Sequence, residues 1–146
     1  MSVTVSDKWL RHGLDMATLS AMMSKDTTQV GAVLMRGKAV LLTSFNGPPA
    51  GVEDQPERFE RPAKYMFASH AEANLIAFAS RFGVCTDGAS VIVTHAPCDA
   101  CARLMIQAGI KSVAYGGGKT SMPAELFAAA TTMLAEAGVT MKEIGK

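Results

Sequence analysis

The chain has no run of basic residues, no long apolar stretch and too few cysteines to staple a fold. Fourteen Lys and Arg face thirteen Asp and Glu, for a net charge of +1. With no two Lys or Arg residues adjacent, the clustered cations that wrap a polyanion are missing, which argues against nucleic acid as a partner. A few basic residues placed for a single phosphate remain compatible with that balance. No uninterrupted apolar segment approaches the roughly 18 residues that span a bilayer, so no membrane role is expected. Residues Met1 to Asp7 lack a basic start followed by an apolar run, so no signal peptide is expected either. The three cysteines are an odd number, and two stand in a C-x-x-C pair. That arrangement excludes a disulfide framework in favour of metal or redox use, and with it a reducing, cytoplasmic home is expected.

What is present is an ordinary globular domain. At 146 residues and 49% hydrophobic content, the chain can bury a substantial core in one domain spanning residues 1–146. The ten methionines suit flexible gap-filling in that core. Apolar spacing predicts helices over Ser6–Met23, with Ser6 as N-cap, and over Ala71–Arg81, Cys98–Ala108 and Pro123–Ala137. Short β-branched runs predict strands at Val30–Met35, Ala39–Phe45, Ala89–Thr94, Ser112–Tyr115 and Val139–Ile144. The first two, split by Arg36-Gly37-Lys38, form a hairpin, and the later ones, separated by helices, can run parallel. Asn46 to Gly51 is a turn, and the charged segment Glu53–Lys64 an ordered surface loop. Gly116-Gly117-Gly118-Lys119 is expected to be a flexible loop. The fold class is therefore α/β, with one mixed five-stranded sheet covered by helices on both faces, a three-layer α/β/α arrangement.

Four residues carry chemistry: His70 and Glu72 in His70-Ala71-Glu72, and Cys98 and Cys101 in Pro97-Cys98-Asp99-Ala100-Cys101. An imidazole and two thiolates are three ligands suited to Zn2+ with its fourth position open. Zinc in such a site lowers the pKa of water toward neutrality. Cys98 and Cys101 at a helix start can turn both sulfurs to one point, where the helix terminus favours thiolates. His70 and Glu72 are only two apart, so in regular helix they would point to nearly opposite sides. Both can serve one site only if His70 stands at a helix start with non-helical dihedrals and Glu72 lies in the first turn. Glu72, not needed as a ligand, is the candidate acid–base group. A closed structural zinc site is the competing reading, with His95 as the rival fourth ligand. Cys85 is expected to be idle, and His12 to be a surface or capping residue.

The H-x-E…P-C-x-x-C pattern is the signature of zinc nucleobase deaminases. Over most of its length the chain resembles the deoxycytidylate (dCMP) deaminase family of the cytidine-deaminase-like superfamily. The resemblance rests on Ser24-Lys25-Asp26, Gln29-Val30-Gly31-Ala32, Phe45-Asn46-Gly47-Pro48, Lys64-Tyr65, His70-Ala71-Glu72-Ala73-Asn74, Pro97-Cys98-Asp99-Ala100-Cys101-Ala102 and Ile106-Gln107-Ala108-Gly109-Ile110. It implies hydrolytic deamination of dCMP to dUMP and ammonia. His70, Cys98 and Cys101 would hold zinc and Glu72 would shuttle protons. Asn46 would contact the sugar, with Ser24 and Lys25 near the phosphate and Ala71, Tyr115 and Lys119 as further substrate contacts. A homo-oligomer, commonly a hexamer, and effectors such as dCTP or dTTP are also implied.

The chain departs from the family after Tyr115. Where many members have a polar, tyrosine-bearing segment, it has the glycine run and Lys119, which could cradle phosphate through backbone N–H groups or form a plain turn. Arg58, Arg61 and Lys64 are expected to be solvated loop charges. The competing functions are deamination of another amidine-like base or modified nucleotide, and a zinc-stabilised module without chemistry.

Overall fold

The computed structural model describes residues 5–145. Helix α1 covers Asp7–Ala21, followed by strands β1 (Gly31–Arg36) and β2 (Ala39–Phe45). A 3-10 turn at Pro56–Phe59 and a short helix α2 (Lys64–Phe67) lead into α3 (Ala71–Phe82). Then come β3 (Ser90–His95), α4 (Asp99–Gln107), β4 (Ser112–Gly118), α5 (Ala124–Glu136) and β5 (Thr140–Glu143). The strands form one sheet in the order β2-β1-β3-β4-β5. β1 runs antiparallel to both β2 and β3, while β3, β4 and β5 run parallel. This is the mixed five-stranded sheet expected from the sequence.

Alternation along the central strands explains the layers. Ala32 and Leu34 of β1, Val91 and Val93 of β3 and Val113 of β4 bury one face, against Leu75 and Ala79 of α3, Met105 of α4 and Ala130 and Leu134 of α5. Val33 and Met35, Ile92 and Ala114 bury the other, against Leu10, Leu14 and Ala17 of α1. Strands covered on both sides read as continuous apolar runs, as β1 and β3 do. The buried face of α1 runs through Leu10, Gly13, Leu14, Ala17 and Ala21, which leaves Leu19 68% exposed. Ser6 occupies the N-cap position but makes no side-chain capping bond.

The glycine run needs a correction. Gly116, Gly117 and Gly118 are not a flexible loop but the last three residues of β4, with Gly118 opposite His95. The physical reason is close approach. A Cβ on Gly116 would lie 2.9 Å from the Thr94 carbonyl oxygen, and one on Gly118 would lie 2.5 Å from the His95 ring. Glycine here removes a side chain that the neighbouring strand cannot accommodate, and it permits a strand end rather than a turn.

Gly31 shows the same logic at the α1 interface. A Cβ there would sit 1.9 Å from the carbonyl oxygen of Ala17 and 2.7 Å from the amide nitrogen of Ala21. Both are backbone atoms that cannot swing away, so Gly31→Ala must push α1 off the sheet. Overpacking against fixed backbone lies at the upper end of the usual range, about 3 kcal/mol. Denaturant unfolding should show the loss as a lower midpoint with an unchanged slope; a midpoint equal to the parent's would contradict this packing.

Candidate metal and catalytic site

His70 is the N-cap residue of α3, with φ −69° and ψ 154°. Its carbonyl accepts the first intrahelical bond, from the Asn74 amide at 3.0 Å. The backbone is therefore extended at His70 and helical from Ala71, the geometry that the two-residue spacing to Glu72 demands. Neighbouring chain segments hold it there. Gly47 and Ser69 exchange two backbone hydrogen bonds, at 3.1 and 2.8 Å, immediately before His70. The Ser44 hydroxyl donates to the Ala71 carbonyl at 2.7 Å, and the Asn74 side-chain amide donates to the Phe45 carbonyl at 2.8 Å. Together these fasten the start of α3 to the end of β2.

Cys98 is in turn the N-cap of α4, with φ −84° and ψ 175°, and Cys101 lies in the first turn. Pro97, fully buried, precedes the cap. The two helix starts meet. Cys98 Sγ and Cys101 Sγ lie 3.4 and 3.3 Å from His70 Nδ1. A zinc ion with ordinary Zn–N and Zn–S bonds in tetrahedral geometry separates its N and S ligands by about 3.5 Å, so these three donor atoms fit that ion. Among the described residues they are the group close enough to hold a metal. His95 is not part of it, so a closed site with His95 as fourth ligand does not form. Cys85 is exposed and far from the pair in role, a free thiol outside the pocket lining.

Electrostatics agree with a cation site. Hydrogen bonding from Cys101 holds the Cys98 thiol far below its ordinary range, at about 4. The same bond, with burial, raises Cys101. One thiolate is therefore ready, and the second requires a cation to stabilise it. His70 is raised, chiefly by its hydrogen bond with Cys98, against the opposing effect of burial. Glu72 is 5% exposed, and burial raises its carboxyl to about 7. A carboxyl poised there can both accept and return a proton near neutral pH.

These groups open into one pocket. His70, Ala71, Glu72 and Cys98 line it together with Asn46, Asp26, Thr28, Lys64, His95 and residues 120–122. Of the expected substrate contacts, Asn46 and Ala71 are on its wall, while Ser24, Lys25, Tyr115 and Lys119 are not among its lining residues. The Ser24 hydroxyl donates to the Asn46 carbonyl at 2.9 Å. Lys25 points outward to Asp54, 2.7 Å away. Tyr115 packs against the core, and Lys119 is exposed. The Asn46 carboxamide is partly committed: its oxygen accepts from the Val30 amide at 3.0 Å and its nitrogen donates to the Thr28 carbonyl at 2.8 Å. One lone pair and one N–H remain for a ligand.

One pocket group runs against the sequence-based expectation. Lys64 is no solvated loop charge, because its side chain is 13% exposed and pairs with buried Asp26 at 3.2 Å. Arg61, from the same segment, also lines the pocket. The signal was the position of this charged segment just ahead of His70, and the Lys64-Tyr65 pair. Of the Ser24-Lys25-Asp26 segment it is Asp26 that lines the pocket, while Lys25 faces away, since adjacent residues on a loop face different ways.

Comparison with known proteins fits this geometry. The profile of the cytidine and deoxycytidylate deaminase zinc-binding region matches residues 4–117. A protein from Aliivibrio fischeri, described as an uncharacterized deaminase in the luxG 3′ region, is 43% identical over 107 residues, 73% of this chain and 71% of the relative. The deoxycytidylate deaminase of Homo sapiens is 35% identical over 144 residues, 93% of this chain and 79% of that one. The crystal structure of dCMP deaminase from the cyanophage S-TIM5 in complex with dCMP and dUMP superposes with a TM-score of 0.79 at 23% identity, covering 96% of this chain and 99% of that one. At that identity the likeness concerns the fold. The zinc of the family's binding region is the ion that the imidazole and two thiols fit, and the chain belongs to the cytidine and deoxycytidylate deaminase family.

Proposed function

We propose that residues 1–146 form one zinc-dependent deaminase domain that hydrolyses a cytosine deoxynucleotide, dCMP plus water giving dUMP plus ammonia. The observation that carries this reading is the convergence of His70, Cys98 and Cys101 beside a buried glutamate that no ligand set requires. His70, Cys98 and Cys101 would hold the zinc. Zinc bound there makes water acidic enough to act as a nucleophile near neutral pH. Glu72 would take one proton from the attacking water and deliver it to N3 of the cytosine ring as the C4–O bond forms, then take the second from the new C4 hydroxyl and give it to the amine as the C4–N bond breaks, so that both water protons reach the products. Its burial keeps bulk water from competing, and its raised pKa matches both halves of the task. Asn46, fixed by Val30 and Thr28, offers its remaining donor and acceptor to the sugar. Ala71 lies on the wall beside them.

The choice of deoxynucleotide is supported by relatives named deoxycytidylate deaminase at 35% identity over nearly the whole chain. Arg61 adds a positive charge to the pocket wall that suits a phosphate-bearing substrate, while Lys64 is committed to Asp26. A homo-oligomer, a hexamer in the family pattern, and a response to dCTP or dTTP follow from the family resemblance. Exposed Tyr65 and Met66, at 64% and 77%, are apolar surface that subunit contact would cover. A cytoplasmic location is supported by the need to keep Cys98 and Cys101 reduced. Among the described residues no helix is long and apolar enough to cross a membrane.

The experiment is a substrate panel with purified zinc-loaded protein: dCMP, dCTP, CMP, deoxycytidine, cytosine and ring-substituted nucleotides. dCMP is expected to release ammonia and an equal amount of dUMP, with the highest kcat/KM. Ammonia from none of the cytosine nucleotides, with zinc bound, would contradict the reading, and a strong preference for unphosphorylated base would move it to another amidine-like substrate. Glu72→Gln should keep the zinc and lower kcat by about 10²–10⁴-fold. An intact rate in that variant would remove Glu72 from the chemistry. Metal analysis should find about one zinc per chain, most of it lost in Cys101→Ser. Full retention of zinc by that variant would show that Cys101 is not a ligand.

A further inference from the structure

His95 lines the pocket but stands outside the metal group, three residues before Cys98 at the end of β3. Its Nδ1 lies 2.7 Å from Thr94 Oγ1. That hydroxyl already accepts the Gly31 amide at 3.2 Å. A hydroxyl has one proton to give, and among the described residues His95 Nδ1 is the acceptor within its reach. With that proton placed in the Thr94–His95 bond, Nδ1 accepts and the neutral ring carries its hydrogen on Nε2, the tautomer that the inference below requires and its first test reads. Burial lowers the pKa of this histidine and keeps it neutral. Among the described residues Nε2 has no hydrogen-bond partner.

Gly118 holds the ring in place. A Cβ at that position would lie 2.5 Å from Cε1 and 2.6 Å from both ring nitrogens of His95. The imidazole thus lies across the bare glycine, and any side chain there would displace it. The glycine run, which resembled a phosphate cradle in sequence, serves as the seat of a histidine.

We infer that His95 is a specificity-determining residue of the proposed site: its Nε2–H donates a hydrogen bond to an acceptor oxygen of the bound nucleotide, and Gly118 is what lets the ring sit there. The inference rests on the nucleotide reading above. The acceptor is an oxygen of the base, the sugar or the phosphate, all of which a neutral N–H can serve.

Two measurements test it. The chain has three histidines, so ¹⁵N NMR of the ring nitrogens in zinc-loaded protein can be assigned with His95→Gln. At neutral pH the His95 ring is expected to be protonated on Nε2 and bare on Nδ1. An Nδ1-protonated ring, or an imidazolium, overturns the inference whatever the substrate. The second measurement is kinetic. His95→Leu should lower kcat/KM for dCMP about tenfold with zinc content unchanged. His95→Gln, which offers an N–H at similar reach, should restore most of the loss. Gly118→Ala should behave like His95→Leu while keeping the histidine. An equal loss on deoxycytidine assigns the acceptor to base or sugar; a loss confined to dCMP assigns it to the phosphate. Values within about twofold of the parent on both substrates, or zinc lost together with activity, overturn the inference. A parent protein inactive on both contradicts the deamination reading instead, and the ring tautomer still decides whether His95 is the donor described.

Discussion

Residues two apart in an α-helix project about 200° from one another, so an imidazole and a carboxylate at that spacing cannot share a site within regular helix. The chain resolves this by ending the extended backbone at His70 and beginning the helix at Ala71. Much of the nearby structure serves that junction. The Gly47–Ser69 bridge, the Ser44 hydroxyl and the Asn74 amide tie the start of α3 to the end of β2. β2 is itself held through β1 to β3, whose end leads into the Pro97-Cys98 start of α4. The sheet is thus a ruler that sets one helix start against the other.

Meeting at helix starts also sets the electrostatics. Helix N-termini favour negative charge, which suits the Cys98 thiolate at the cap of α4. Glu72, in the first turn of α3 and buried, has its charge penalised by lost solvent and is raised to about 7. Two helix starts therefore hold one group as an anion and keep the other able to change protonation state. In the proposed reaction the first property holds a metal and the second moves a proton. The pocket lies at the carboxyl ends of the parallel pair β3 and β4, where open α/β sheets ordinarily place ligands.

The reactive quartet was legible because its signal is local. Short spacings permit few geometries, and the required break at His70 could be derived before any coordinate. The layered fold was legible because doubly covered strands read as unbroken apolar runs. What escaped depends on partners distant in sequence. Lys64 and Asp26 are 38 residues apart and each looks like a surface charge until the other is placed beside it. Gly118 resembled a turn residue, since the demand for a missing Cβ comes from His95 on the neighbouring strand. Lys25 points outward while Asp26 lines the pocket, because on an irregular loop no period tells which of two neighbours faces inward. The motif fixed the chemistry, while the pocket wall was assembled by tertiary contact.

The central claim is an open zinc site of one nitrogen and two sulfur ligands from the chain, with Glu72 beside it and not on it. X-ray absorption at the zinc edge of the purified protein measures that shell directly. The account predicts two sulfur scatterers at about 2.3 Å and two nitrogen or oxygen scatterers at about 2.0–2.1 Å, unchanged in Glu72→Gln. A third sulfur, or a shell that changes when Glu72 is replaced, would contradict it.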